Sequence, residues 1–131
     1  MEKAGQKTRD LRFFSEKNQS MVCVHSKQAR EYTRWLESQS WVETYECNVA
    51  LDMERYQHIS PVDIRKEYFA IAWCSDVLLH YADGRTAVRE IVSKQDLTRR
   101  AVLERLEFSR RYWKLLDVDW KLLILEEVPS C

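Results

Sequence analysis

Polar and apolar residues change period several times along the chain, and each change marks an element. Residues 26–38 carry Ala29, Tyr32, Trp35 and Leu36 toward one face and Lys27, Arg30, Arg34 and Glu37 toward the other. That spacing predicts a helix, with Ser26 as its N-cap. Residues 41–51 alternate, with Trp41, Glu43, Tyr45, Cys47 and Val49 set against Val42, Thr44, Glu46 and Asn48, and so predict a half-buried strand. Residues 52–66 are irregular and broken at Ser60-Pro61, which suits a connection holding one helical turn. Residues 67–73 (EYFAIAW) form a nearly continuous apolar run of strand length, as for a strand covered on both faces. Residues 75–81 and 86–93 flank Asp83-Gly84 and read as a hairpin. Asp96 opens the longest helix, 97–116, where Leu97, Ala101, Val102, Leu106, Phe108, Tyr112, Trp113 and Leu116 recur at a period of about 3.6. A last strand follows at 120–125.

This order predicts a mixed α/β domain: a sheet flanked by helices, its last strand parallel to an earlier one after a helical crossover. Residues 1–20, polar around Leu11, Phe13 and Phe14, are set apart as an N-terminal arm, either loose or strand-like, ahead of a single domain at 21–128.

Composition narrows the class. Hydrophobic content of 45% against 32% charged excludes a disordered chain. Apolar runs are too short to span a bilayer, and the polar start carries no secretory signal, so a cytoplasmic location is expected. The four cysteines are widely spaced with no CxxC pair, which argues for reduced thiols and against a zinc site. Formal net charge is zero, so attraction for nucleic acid has to come from local clustering of charge.

The hairpin carries the candidate chemistry. Asp76 opens its first arm, and Glu90 and Lys94 lie on the second. Acids on neighbouring strands supply hard oxygen ligands for a divalent cation, and a lysine beside them stabilises charge on phosphate. These side chains must share one face of the sheet. A two-residue loop at Asp83-Gly84 pairs Asp76 with Ile91 and separates it from Glu90. A three-residue loop at 83–85 pairs Asp76 with Val92 and brings the three together, as would a bulge. Alternatively, the acids are the wet face of an amphipathic hairpin.

The spellings VETYECN, CSDVLL, YADGR and AVREIV, followed by KQDLTRRAVLERLEFSRRYW and DWKLLI, resemble in order the N-terminal endonuclease domain of TnsA. TnsA is the subunit of a heteromeric transposase that nicks transposon ends. The resemblance covers roughly residues 22–126. It implies a restriction-endonuclease-like PD-(D/E)XK fold, DNA cleavage dependent on Mg²⁺ or Mn²⁺, and DNA and a transposase subunit as partners. Asp76 and Glu90 match the family's metal-binding acids. Val92 stands where the family has its catalytic lysine, and Lys94, one pleat further on, is the candidate substitute. Ala29 stands where the family has a helix glutamate, with Glu31 and Glu37 elsewhere on that helix. Asn48-Val49 replaces a common Gln-Pro pair. With two of four site positions changed, the resemblance leaves two outcomes: a cleaving nuclease, or a nuclease-fold protein that binds DNA or a transposition partner without cleaving. A structural module with ordinary surface acids is the third.

Arg99, Arg100, Arg110, Arg111 and Lys114 project within about 120° on the long helix and form a candidate DNA-binding stripe. Glu104 and Glu107 interrupt it and offer pairs to Arg100, Arg110 and Arg111. His80 falls on the Asp76 face of the hairpin.

Overall fold

The alternating strands give the sheet two apolar faces, and each face collects its own core. The computed structural model describes residues 10–125. Its elements run β1 (Leu11–Ser15), β2 (Ser20–Val24), α1 (Lys27–Glu37), β3 (Val42–Ala50), β4 (Cys74–Tyr81), β5 (Thr86–Val92), α2 (Arg100–Leu115) and β6 (Asp119–Ile124). The main sheet has the order β3-β4-β5-β6, with β1 and β2 forming a separate two-stranded hairpin. β3, β4 and β5 are successively antiparallel, and β6 runs parallel to β5 after the crossover through α2. The chain is a single small mixed α/β domain. Among the described residues no helix is long and apolar enough to cross a membrane.

On one face, Leu36 of α1 and Val22 and Val24 of β2 pack with Val42, Tyr45, Val77, Leu79 and Ala87. On the other, Phe108, Tyr112 and Trp113 of α2 pack with Val88, Leu51, Tyr56, Ile59, Ile64 and Tyr68. Ser26 caps α1 as expected, its hydroxyl accepting from the Ala29 amide at 3.0 Å. After α2, Asp117 takes φ of 56° and the Val118 amide bonds back to the Trp113 carbonyl at 3.1 Å, which turns the chain into β6.

Three expectations need correction. Residues 67–73 hold no strand: Lys66–Ala70 is a 3₁₀ turn. Their apolar character serves the α2 side of the core, where Phe69 and Trp73 pack on Phe108. A run covered by a helix and one covered within a sheet read alike. The long helix is also broken at its start, because Gln95–Thr98 is a 3₁₀ turn and Arg99 is extended (φ −97°, ψ 123°) before α2 begins. No glycine or proline marks that break. Finally, the expected boundary at residue 21 falls inside the first hairpin. Leu11 and Phe13 of β1 pack against the α1 core, and the β1 register runs from Leu11↔Val24 to Ser15↔Ser20. Residues 1–9 of the expected arm lie outside the described residues.

Candidate active site

The turn between β4 and β5 decides where the acids fall. The Tyr81 amide donates to the Arg85 carbonyl at 2.8 Å, so the loop is Ala82-Asp83-Gly84. It has three residues but sits one position earlier than expected, because Gly84 takes the left-handed place at its end with φ of 93°. The register then reads Leu78↔Val88 and Val77↔Arg89, which sets Asp76 opposite Glu90. Opposed residues in an antiparallel pair share a face. Here it is the α2 face, since Leu78 and Val88 belong to that core.

Ordinary strand pairing ends at this point. The β4–β5 ladder stops at Val77↔Arg89, and the β3–β4 ladder passes from Cys47↔Val77 to Val49↔Ser75, skipping Asn48 and Asp76. Asn48 has φ of 56°, a left-handed kink within β3, and its amide side chain is tied to the Cys23 carbonyl at 3.2 Å. The acids take over the missing backbone bonds. The Asp76 amide donates to Glu90 Oε1 at 3.1 Å, and the Ile91 amide donates to Asp76 Oδ2 at 2.7 Å.

Glu90 is 0% exposed, and its carboxylate is held from α2 as well as from the sheet. Ser109 donates a short hydrogen bond to Glu90 Oε2. The Trp120 indole N–H donates to Ser109 Oγ at 3.0 Å, and the Trp113 indole N–H donates to Ser75 Oγ at 2.8 Å. Ser75 and Ser109 hydroxyls lie 3.3 Å apart. An indole can only donate, and the one Ser109 proton goes to Glu90, so Ser75 is the donor to Ser109. Arg105, one helical turn before Ser109, brings Nη1 to 4.0 Å from Glu90 Oε1.

Burial raises the pKa of Glu90, and the neighbouring Asp76 charge raises it further, against the hydroxyl bonds. Burial likewise raises Asp76, offset by the Ile91 amide and the Arg105 charge. Two like-charged carboxyls in one half-buried place favour a shared proton or a cation between them.

The remaining expected site residues lie elsewhere. β5 ends at Val92, and Lys94 is an exposed residue in αR conformation, so the pleat that would aim it at the acids does not reach it. Glu37 is structural: it accepts from Ser15 Oγ and Tyr45 Oη, both at 2.6 Å. Glu31 is exposed and pairs with Arg34 at 3.2 Å. His80 pairs with Glu46 at 2.6 Å.

The basic stripe is largely paired. Arg99 meets Asp96 at 3.5 Å, Arg100 meets Glu104 at 2.9 Å, and Arg110 and Arg111 meet Glu107 at 2.6 and 2.8 Å. Arg111 also donates to the Ser60 and Val62 carbonyls at 2.7 and 2.8 Å, which pins that loop to α2. Lys114 is exposed and makes no ion pair among the described residues.

Asp76 and Glu90 fit a hard divalent ion. Both supply hard carboxylate oxygens, and the mutual repulsion of the pair is what a cation would relieve. A separate exposed group, Asp10, Cys23 and His25, has its donor atoms within 4.8 Å of one another. Its thiol suits a softer ion than Mg²⁺, and a 2.9 Å contact already joins Asp10 to His25.

Sequence reading missed Ser75, Ser109, Trp113, Trp120 and Arg105 as parts of the site. A signal existed for one: Ser109 is a polar residue in the apolar stripe between Leu106 and Tyr112. When the chain is compared with models of known protein families and with curated proteins, no family model and no curated protein matches it.

Proposed function

We propose that this chain is a TnsA-like, metal-dependent DNA endonuclease with a restriction-endonuclease-like fold, with Asp76 and Glu90 as its ligands for Mg²⁺ or Mn²⁺. One observation carries the reading. Two acids from adjacent strands meet on one face where the sheet opens, and they replace the backbone pairing there with bonds of their own. An ordinary wet hairpin face has no reason to bury a glutamate at 0% exposure beside an aspartate.

A divalent ion held there supplies Lewis-acid polarisation of a phosphoryl oxygen and a bound water of lowered pKa. The chain's own groups do the positioning. Ser109 and the Asp76 amide fix both oxygens of Glu90, and the Ile91 amide fixes one oxygen of Asp76. In the hydrolysis, water adds to phosphorus as one P–O ester bond breaks, the water loses a proton and the leaving oxygen gains one.

A second reading, DNA or partner binding without cleavage, draws on the position of Lys94 beyond β5 and on Val92 in the strand. Nicking of supercoiled plasmid with Mg²⁺ or Mn²⁺ separates the two. Metal-dependent nicking that disappears in Asp76→Ala supports the nuclease, and a wild-type chain that binds DNA but never nicks it supports the second reading.

A further inference from the structure

Among the described residues Arg105 donates no hydrogen bond, although its side chain is only 28% exposed and it carries five N–H donors. Other arginines of similar burial are spent. Arg89 donates to the Val88 carbonyl, Tyr81 Oη and Asp119, and Arg111, 20% exposed, donates to two loop carbonyls and Glu107. Among the described residues the one ion pair of Arg105 is the 4.0 Å approach to Glu90, too long for a hydrogen bond.

Arg105 also lines a cavity of about 290 Å³ with Ser26, the N-cap of α1, and with Gln28, Ser93 and Asp96, its apolar wall being Ile91, Val92 and Val102. Neither acid lines the cavity; it meets β5 at Ile91 and Val92, and the Ile91 amide is the one that donates to Asp76 Oδ2. Of the charged groups around it, Asp96 is met by Arg99 at 3.5 Å, which leaves Arg105 as the lining cation with free donors. A guanidinium with uncommitted donors, beside two carboxylates and a polar hollow, matches the forked acceptor geometry of a phosphate.

We propose that this cavity is a phosphodiester subsite and that Arg105, in place of the candidate Lys94, is its anion-binding residue. The proposal rests on the nuclease reading for its choice of ligand. Arg105 reaches the site from α2, one turn from Ser109, so the same helix that fixes Glu90 delivers the positive charge. With the lysine position taken by Val92 in β5, the cation comes from the crossover helix instead of the strand.

The test uses the full chain and a fluorescein-labelled DNA duplex in Ca²⁺, followed by plasmid nicking in Mn²⁺. Arg105→Gln is expected to weaken duplex binding roughly tenfold and to lower the slope of log affinity against log salt by about one. Arg105→Lys should recover most of the affinity, and Lys94→Ala should change it less than about twofold. Thermal unfolding of each variant separates a lost contact from a lost fold. Should Arg105→Gln unfold, Arg105→Met, which keeps the aliphatic stem and loses the charge, makes the same measurement. Duplex binding unchanged in the folded charge-removing variant, no binding by the wild type, or a roughly tenfold loss in Lys94→Ala, overturns the subsite. Binding that depends on Arg105 without any nicking leaves the subsite standing and removes hydrolysis. Nicking that depends on Asp76 but not on Arg105 does the reverse.

Discussion

Asp76 and Glu90 are joined across two strands by an exchange that uses one backbone amide from each strand and both side chains. The Asp76 amide bonds Glu90 Oε1 at 3.1 Å, and the Asp76 carboxylate takes the amide of the residue after Glu90 at 2.7 Å. Each acid therefore fills a backbone vacancy created by the other strand. Structural and chemical roles are coupled at this place, and variants of either acid have to be judged on both.

Removing one charge from the pair should relieve repulsion as it removes a ligand. Asp76→Asn is expected to lower metal-dependent nicking by roughly 10²- to 10³-fold. Both acids have raised pKa values, so the folded chain binds their protons more tightly than the unfolded chain does. Stability from this pair is full below the ordinary carboxylate range near about 4 and is lost as pH rises through the raised values. Glu107 works in the opposite sense: Arg110 and Arg111 lower it to about 2, so its contribution is present above the ordinary range and lost as pH falls toward that value. Urea midpoints of the wild type should peak in mild acid, and Asp76→Asn should flatten the decline on the alkaline side.

Ser109→Ala deprives Glu90 of its hydroxyl donor and the Trp120 indole of its acceptor, all in a buried place. The expected cost is about 1–3 kcal/mol in urea unfolding. Ser109→Thr, which keeps the hydroxyl, should lose less.

The left-handed Asn48 allows a direct test of the kink. Asn48→Val forces a β-branched residue to hold φ of 56°, or else to straighten β3 and restore its ladder beside Asp76. A loss of about 2 kcal/mol is expected, within the range for strained backbone. Asn48→Gly removes the strain but also the bond to the Cys23 carbonyl, and should come within about 1 kcal/mol of wild type.

Glu104 holds the loop after Pro61 to the start of α2. Its side chain, 7% exposed, accepts from the Arg65 amide at 2.9 Å, from Arg65 Nε at 3.0 Å and from Arg100 Nε at 2.9 Å. Glu104→Gln should lower the thermal midpoint, leave the salt dependence of DNA binding unchanged, and make residues 60–66 more open to proteolysis. A changed salt slope would return Arg100 to the list of phosphate contacts.

Where local chemistry sets structure, the sequence was legible. The Ser26 cap, the period of α1 and the apolar β6 all act within a few residues. The expected alternation of β3 holds only in part: an irregularity between Val42 and Thr44 puts Val42 on the Tyr45 face, and Val49, beyond the kink at Asn48, packs on the opposite core. The hairpin was legible, but its register depended on whether Gly84 or Arg85 closed the loop, and one place shifts every partner. The run at 67–73 misled because burial under α2 and burial in a sheet select the same residues. The site itself was half legible: Asp76 and Glu90 lie in a recognisable hairpin, while Ser75, Ser109, Trp113 and Trp120 meet only after the crossover. Arg105 stands alone between Glu104 and Leu106, apart from the arginine pairs at 99–100 and 110–111, so no local pattern marks it.

The two indoles behind Glu90 have a further consequence. Since neither nitrogen can accept, every hydrogen bond in the chain from Trp113 through Ser75 and Ser109 points the same way, ending on the carboxylate. Protonating Glu90 or drawing its charge toward a cation loosens that whole row, including the indole of β6. The emission of Trp113 and Trp120, isolated by replacing the other three tryptophans with phenylalanine, is therefore expected to follow the ionisation of Glu90.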